Sequence, residues 1–340
     1  MAFDSLGRAI EKTRHIENGE PGMKGIKLIS VYLGHLPAWL PIWLNSCALN
    51  SDVDFCLITD RPQEVPYIPT NVQVVAMNLL EIRERFSHAA GFPVELPKPY
   101  KICDFKPLFG NAFKDIILDA DFWGHIDMDM FFGRLRHFLT DDRLENYVRL
   151  YAAGHLSLFR NDECGNYLYL LPNQRLDWRT VFTTPYSCHF DERHGIYQTV
   201  LESGLPFFED FSSVADILPS SSRIRLTNVG QNAKHQAFIF DNGRVLQIFI
   251  RDGKVREREF IYLHFQKRSL PALPAHDWKD IRQWVFTAHG VYPELAPSWN
   301  KKSIAAANRP NLYHIYNFYK RKLRSDVKHW NHPRYSESQA

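Results

Sequence analysis

The 340-residue chain is short of cysteine pairs, of long apolar runs and of charge of one sign. Cys47, Cys56, Cys103, Cys164 and Cys188 are odd in number, scattered, and include no C-x-x-C pair. That spacing excludes a disulfide framework and a zinc ribbon, and leaves buried free thiols in a reducing compartment. No window approaches the ~20 apolar residues of a membrane span. The best, Leu36 to Leu44, carries two prolines. The first residues, MAFDSLGRAIEKTRHIENGE, have no apolar signal-peptide core. With 41 Lys+Arg against 38 Asp+Glu the net charge is +3, which gives nucleic acid no claim as a partner. Walker and glycine-rich phosphate loops are absent, as are internal repeats and low-complexity segments. The expectation is a soluble or peripheral protein of the cytoplasm.

What is present is a large apolar inventory, 45% hydrophobic and 14% aromatic, too rich for a disordered chain. Residues 1–24 read as a polar extension ending at Glu20-Pro21-Gly22. Strand-like runs then alternate with helical ones. Ile26 to Leu33, Asp54 to Thr59, Asn71 to Met77 and Asp121 to Ile126 are β-branched or aromatic. Trp39 to Leu49, Asn78 to Ser87 and Lys101 to Phe113 have helical character, the last broken near Pro107. This alternation predicts an α/β fold with a mainly parallel sheet. Tyr147 to Ala152 and His155 to Arg160 are expected to pair through Gly154. Residues 172–235 lack clear periodicity and are expected to be short helices and loops. Three strands, Ala237 to Phe240, Val245 to Ile250 and Val255 to Leu263, are separated by the tight-turn signals Asp241-Asn242-Gly243 and Asp252-Gly253. Residues 271–300 are expected to wrap the surface.

Four clusters bear on chemistry. Asp127-Met128-Asp129 follows an apolar strand, where two carboxylates at i and i+2 can share Mg²⁺ or Mn²⁺ if the strand opens into a turn. A solvated acidic turn gives the same pattern, and Asp119-Ala120-Asp121 is read as one. Tyr262 to Arg268 (YLHFQKR) ends a strand in His264, a candidate metal ligand, followed by Lys267 and Arg268, which can neutralise diphosphate oxygens. A hydrogen-bonded core histidine is the plainer alternative. Lys101, Asp104 and Lys106 share one short segment. Lys101 and Asp104 are i,i+3 neighbours on a helix, either a surface ion pair or part of a donor-binding helix. Asp191 and Glu192 lie in a loop-rich stretch and are either solvated acids or a general base.

Taken in order, KLISVYLG, LITD, KICDFKPLFG, DFWGHIDMDMFFG and YLHFQKR resemble bacterial glycosyltransferases of the GT-A fold, especially a group from polysaccharide and lipopolysaccharide gene clusters. The resemblance covers roughly residues 25–268. It implies a GT-A-like, Rossmann-type mixed sheet flanked by helices, with a C-terminal β-hairpin region and a helical tail. Residues 25–270 would form the catalytic domain and 271–340 a C-terminal segment. It further implies Asp127 and Asp129 as the metal-binding D-x-D, with Asp129 the more direct ligand, and His264 as the C-terminal metal ligand. Val31, Tyr32 and Leu33 would line the nucleotide with Asp60. Lys101, Asp104 and Lys106 would contact donor sugar and phosphate, and Lys267 the diphosphate. Asp191 or Glu192 would be the base of an inverting reaction. The implied cofactors are Mn²⁺ or Mg²⁺ and a nucleotide-sugar, most often a UDP-sugar. The acceptor would be a hydroxyl of a glycan or lipid-linked glycan. An inactive carbohydrate-binding or scaffold protein, or a sugar-nucleotidyltransferase, are the alternatives.

The balanced charge conceals two parts. Residues 301–340 hold nine basic and two acidic residues, a net of +7, and residues 1–300 a net of −4. Asn311 to Trp330 combines tyrosines with Lys320, Arg321, Lys322 and Arg324. A helix of this kind suits either the anionic inner face of the cytoplasmic membrane, through residues 309–330, or packing on the domain with a solvated basic face. If it meets membrane, deleting residues 309–340 abolishes sedimentation with anionic liposomes. Equal sedimentation of the truncated protein overturns the idea.

Overall fold

A computed structural model describes residues 23–266, 273, 277–293 and 298–329. Of the expected elements, residues 1–22 of the polar extension (residues 1–24), together with Lys267 and Arg268, lie outside the described residues.

The predicted alternation is present. β1 (Ile26–Val31), β2 (Asp54–Thr59), β3 (Val72–Ala76) and β4 (Phe122–Ile126) lie parallel, in the order β3-β2-β1-β4. Both faces of these strands are covered, which is why they read as continuous apolar runs rather than alternating ones. Successive residues go to opposite faces. Leu28, Phe55 and Leu57 pack with Trp43, Leu44 and Cys47 of the helix Leu40–Ala48. Ile29, Cys56 and Ile58 pack with Ile82 and Phe86 of the helix Leu79–Ala90. That second helix starts on a capping box, Asn78 with Glu81, and stops at Gly91 in the left-handed region, φ 79°.

Beyond β4 the chain turns through β5 (Met130–Phe132) and returns as β6 (Arg149–Ala153) and β7 (Leu156–Arg160). β7 is antiparallel to β4 and β6, so the seven-stranded sheet, closed at its edge by β8 (Phe207–Phe208), is mixed. The expected pairing through Gly154 is thus observed. β9 (Val214–Asp216) emerges from the stretch without periodicity.

β10 (Gln236–Asp241), β11 (Arg244–Arg251) and β12 (Lys254–Phe260) form the predicted meander. Its turns put Asn242 and Gly243 at φ 47° and 83°, and Asp252 and Gly253 at 52° and 71°, the left-handed backbone that tight hairpins of this twist require. β13 (Tyr262–His264), expected as the continuation of β12, leaves that sheet instead. It pairs antiparallel with β5 and parallel with β9. Within residues 271–300, the described stretch 283–292 also departs from expectation. β14 (Gln283–Thr287) is an inner strand between β10 and β15 (Gly290–Tyr292), with Trp284 buried and stacked on Phe240 at 3.8 Å. A five-residue strand between proline-containing segments leaves too short a periodic signal to be read from the chain.

Candidate active site

Where β1 and β4 lie side by side the strand order reverses direction, and their carboxyl ends open a crevice, the place where ligands bind in open α/β sheets. A cavity of about 770 Å³ occupies it. Val31, Tyr32 and Leu33 at the end of β1 line it, as do Lys106, Asp127, Asp129, Asp191, Glu192 and His264.

The chain leaves β4 at Ile126 and turns into β5, and Asp127 and Asp129 occupy that turn. The small sheet β5-β13-β9 sets Met130 opposite His264 and His264 opposite Asp216. A histidine 135 positions downstream thereby reaches the acidic turn. Its Nε2 lies 3.3 Å from Asp129 Oδ1 and its Nδ1 2.9 Å from Asp216 Oδ1. The candidate ligand atoms of Asp127, Asp129 and His264 all lie within 4.8 Å of one another. Two hard oxygens and an imidazole suit Mn²⁺ or Mg²⁺, so the residues present fit a divalent cation.

Asp216 is itself held. Gln266 Nε2 donates to both of its oxygens at 2.8 and 2.9 Å, and Thr227 Oγ1 donates to Oδ2 at 2.9 Å. The His155 ring stacks on His264 at 4.2 Å, and Tyr262 pairs its hydroxyl with His155 Nδ1. Burial works against charge on His264, but Asp129 and Asp216 outweigh it and lift His264 to about 10. Burial, aided by the charge on His264, pushes His155 down to about 3. Without a cation one imidazole therefore carries the charge and its neighbour stays neutral; ligation of a cation by His264 would release that proton.

Lys106 is the second focus. Its ammonium donates to Asp127 Oδ1 at 2.7 Å, to Asp191 Oδ2 at 2.8 Å and to the Gly154 carbonyl at 2.6 Å. Burial favours its neutral form, yet the two carboxylates hold it above the ordinary lysine value. Burial also pushes Asp191 up to about 6, with Lys106 pulling the other way. Glu192 is exposed and pairs with His189 at 3.4 Å.

Lys101 and Asp104 are not at the surface and do not line the cavity. Both are fully buried and joined at 2.7 Å. Lys101 also donates to the carbonyls of Val181 and Tyr186, and Asp104 accepts from the amides of Cys188 and Phe190, both at 2.8 Å. The pair fastens loop 186–190 onto the short helix Pro99–Leu108 and so places Asp191 at the end of that loop. The turn after it needs Gly195, since a Cβ there would meet the Phe190 carbonyl oxygen at 2.0 Å. Asp60 accepts from the Gly34 amide at 2.8 Å, is exposed, and is likewise absent from the cavity wall.

Asp216, His155 and Gln266 were not singled out by the sequence. Asp216 sits in the stretch without periodicity. Only the register of β9 against β13 brings it to His264.

Residues 28–292 match the model of a family described as a family of unknown function, DUF6625. No curated protein matches the chain by sequence. Among solved structures, mouse xyloside xylosyltransferase 1 in its apo form overlaps 57% of this chain and 88% of its own, at 8% identity and a TM-score of 0.37. The galactosyltransferase LgtC, in complex with donor and acceptor sugar analogs, overlaps 57% of this chain and 76% of its own, at 12% identity and a TM-score of 0.36. The glycosyltransferase GlyE of Streptococcus pneumoniae TIGR4 overlaps 56% of this chain and 46% of its own, at 11% identity and a TM-score of 0.32. Overlaps this loose transfer neither a substrate nor a residue role.

The buried pair gives a direct stability test. Asp104→Ala leaves the Lys101 ammonium buried without its counter-charge and two amides without their acceptor. The expected loss is about 3–5 kcal/mol in urea unfolding. Lys101→Met with Asp104→Ala recovers only part, because the Cys188 and Phe190 amides still lack an acceptor.

Proposed function

Because this chain belongs to the family of unknown function DUF6625, whose name assigns no activity, we propose one from its site. The protein is a metal-dependent glycosyltransferase that moves a sugar from a nucleotide-sugar, most simply a UDP-sugar, to a hydroxyl of a glycan or lipid-linked glycan in surface polysaccharide synthesis. The observation that carries this is the convergence of Asp127, Asp129 and His264 at the carboxyl ends of β1 and β4, beside a cavity large enough for a nucleotide-sugar. The GT-A-like architecture and the D-x-D order are consistent with it.

In this reading Asp127, Asp129 and His264 hold Mn²⁺ or Mg²⁺, which supplies Lewis-acid stabilisation to a departing diphosphate. Val31 and Tyr32 flank the base and ribose, with Asp60 nearby through its hold on Gly34. Lys267, outside the described residues, is proposed to contact the donor diphosphate. Lys106 keeps one positive charge between the metal-binding turn and Asp191. Lys101 and Asp104 serve the donor site indirectly, by placing that loop. Asp191, buried and with one oxygen unpartnered among the described residues, is the better base, and Glu192 stands beside it. It accepts the acceptor-hydroxyl proton as the glycosidic bond forms. Residues 25–270 are proposed as the catalytic unit. The helix Leu312–His329 is proposed to lie on anionic membrane. Exposed Leu312, Tyr316, Tyr319 and Leu323 recur at helical spacing, and His314 docks the helix to the Pro219 carbonyl. No described helix is long and apolar enough to cross a membrane.

The test is UDP release from a panel of UDP-sugars with Mn²⁺ and a hydroxyl acceptor. Turnover is expected, lost with chelator and reduced at least about 10²-fold by Asp129→Ala. Nucleotide-sugar binding without turnover would instead favour an inactive binding protein.

A base with a value near 6 is active only when deprotonated. kcat/KM should therefore fall as pH drops through about 6 and level off above it. Asp191→Asn should lose both the activity and this limb, and an unchanged limb in that variant would remove Asp191 from the role.

Asp216→Asn frees one side of His264. It should raise the Kd for Mn²⁺ by about 10–100-fold, read by electron paramagnetic resonance of free Mn²⁺, with little change in Tm. An unaltered Kd would show that Asp216 does not position the histidine.

A further inference from the structure

A second group of ligand-type atoms lies on the cavity wall and takes no part in the site above except through Asp191. Cys103 Sγ and candidate ligand atoms of His189 and Asp191 all lie within 4.8 Å of one another. Three features bring them together. The short helix Pro99–Leu108 supplies Cys103. The neighbouring Asp104 carboxylate clamps the amides of Cys188 and Phe190, which sets the intervening His189 over that helix. His189 adopts a left-handed backbone, φ 56°, and the Tyr100 ring meets its imidazole edge-on at 6.2 Å.

The third member has an unmet demand. Asp191 is 3% exposed and Lys106 occupies its Oδ2, while Oδ1 is buried without a hydrogen-bond partner among the described residues. Ser187 Oγ stands 3.1 Å from Cys103 Sγ and adds an oxygen to the same neighbourhood. Thiolate with imidazole and carboxylate is a zinc donor set, whereas Mg²⁺ and Mn²⁺ prefer oxygen.

We propose that Cys103, His189 and Asp191 form a second metal site, selective for a thiophilic divalent cation such as Zn²⁺ and open to the cavity at its fourth position. Tetrahedral bonds of about 2.0–2.3 Å need donors within about 4 Å of one another, and the candidate atoms here all lie within 4.8 Å. The half-exposed His189 side chain would exchange its pairing with Glu192 for the metal. Burial pushes the Cys103 thiol up to about 12, so the free protein holds it as a thiol. On binding, the sulfur–metal bond forms and the thiol proton leaves to solvent; any proton on His189 leaves likewise. The site stands independently of the transfer chemistry. Its consequence rests on the proposed function: Zn²⁺ here would tie up Asp191 and inhibit transfer.

The experiment uses full-length protein in a large excess of Mg²⁺, added to compete at the oxygen-rich group, and titrates Co²⁺ as a coloured substitute for Zn²⁺, the sulfur band reporting only Cys-bound cobalt. A thiolate-to-cobalt charge-transfer band is expected, saturating at one equivalent and erased by Zn²⁺. Cys103→Ser should abolish it, Cys188→Ser should keep it, and His189→Ala should weaken cobalt binding roughly tenfold or more. No band in the wild type, or an equal band in Cys103→Ser, overturns the site. Should Cys103→Ser fail to fold, His189→Ala decides alone, and an unchanged cobalt affinity there also overturns it. No nucleotide-sugar is present, so the outcome does not depend on whether the chain transfers sugar.

Discussion

Lys106 is the constraint on which the site depends. One buried ammonium meets Asp127 from the acidic turn, Asp191 from the loop beyond it and the Gly154 carbonyl from the β6–β7 hairpin. Without that charge the half-buried Asp127 and the buried Asp191 carboxylates would face each other unneutralised. With it, three segments distant in the chain are fixed around one cavity. The same geometry leaves Asp191 Oδ1 as the polar atom that a substrate, or a cation, must satisfy.

Behind this centre stand two supports of different kinds. Lys101 and Asp104 form a sealed ion pair that also bonds the Val181 carbonyl and the backbone of loop 186–190. On the other side, Asp216, braced by Gln266 and Thr227, orients His264 toward the acidic turn. Both supports act on backbone or ring orientation, which a side chain inside the cavity cannot set for itself. A hard oxygen-rich group and a sulfur-containing group share one cavity, and Asp191 lies at the point where they meet.

The legible parts of the fold are those whose signal is local. The central parallel strands announce themselves because both faces are covered, and the hairpins because Asn-Gly and Asp-Gly meet the left-handed backbone of tight turns. Asp127, Asp129 and His264 stand out because each follows or ends a strand, and the resemblance to GT-A enzymes implied a metal-binding role for them. Residue type and spacing told less at positions 101 and 104. There the same i,i+3 pair would serve a surface or a core, and only burial distinguishes the two.

The amino-acid sequence by itself determined the α/β alternation, the position of the acidic turn at a strand end, the free cysteines and the split between a mildly acidic body and a basic tail. Hydrophobic period, turn chemistry and charge are properties of neighbours in the chain. Tertiary structure alone decided that β13 leaves the meander for β5 and β9, that β14 is an inner strand, that Asp216 faces His264, and that Cys103, His189 and Asp191 converge. These depend on strand register and loop docking between segments tens to more than a hundred residues apart, for which no short stretch of sequence holds a signal.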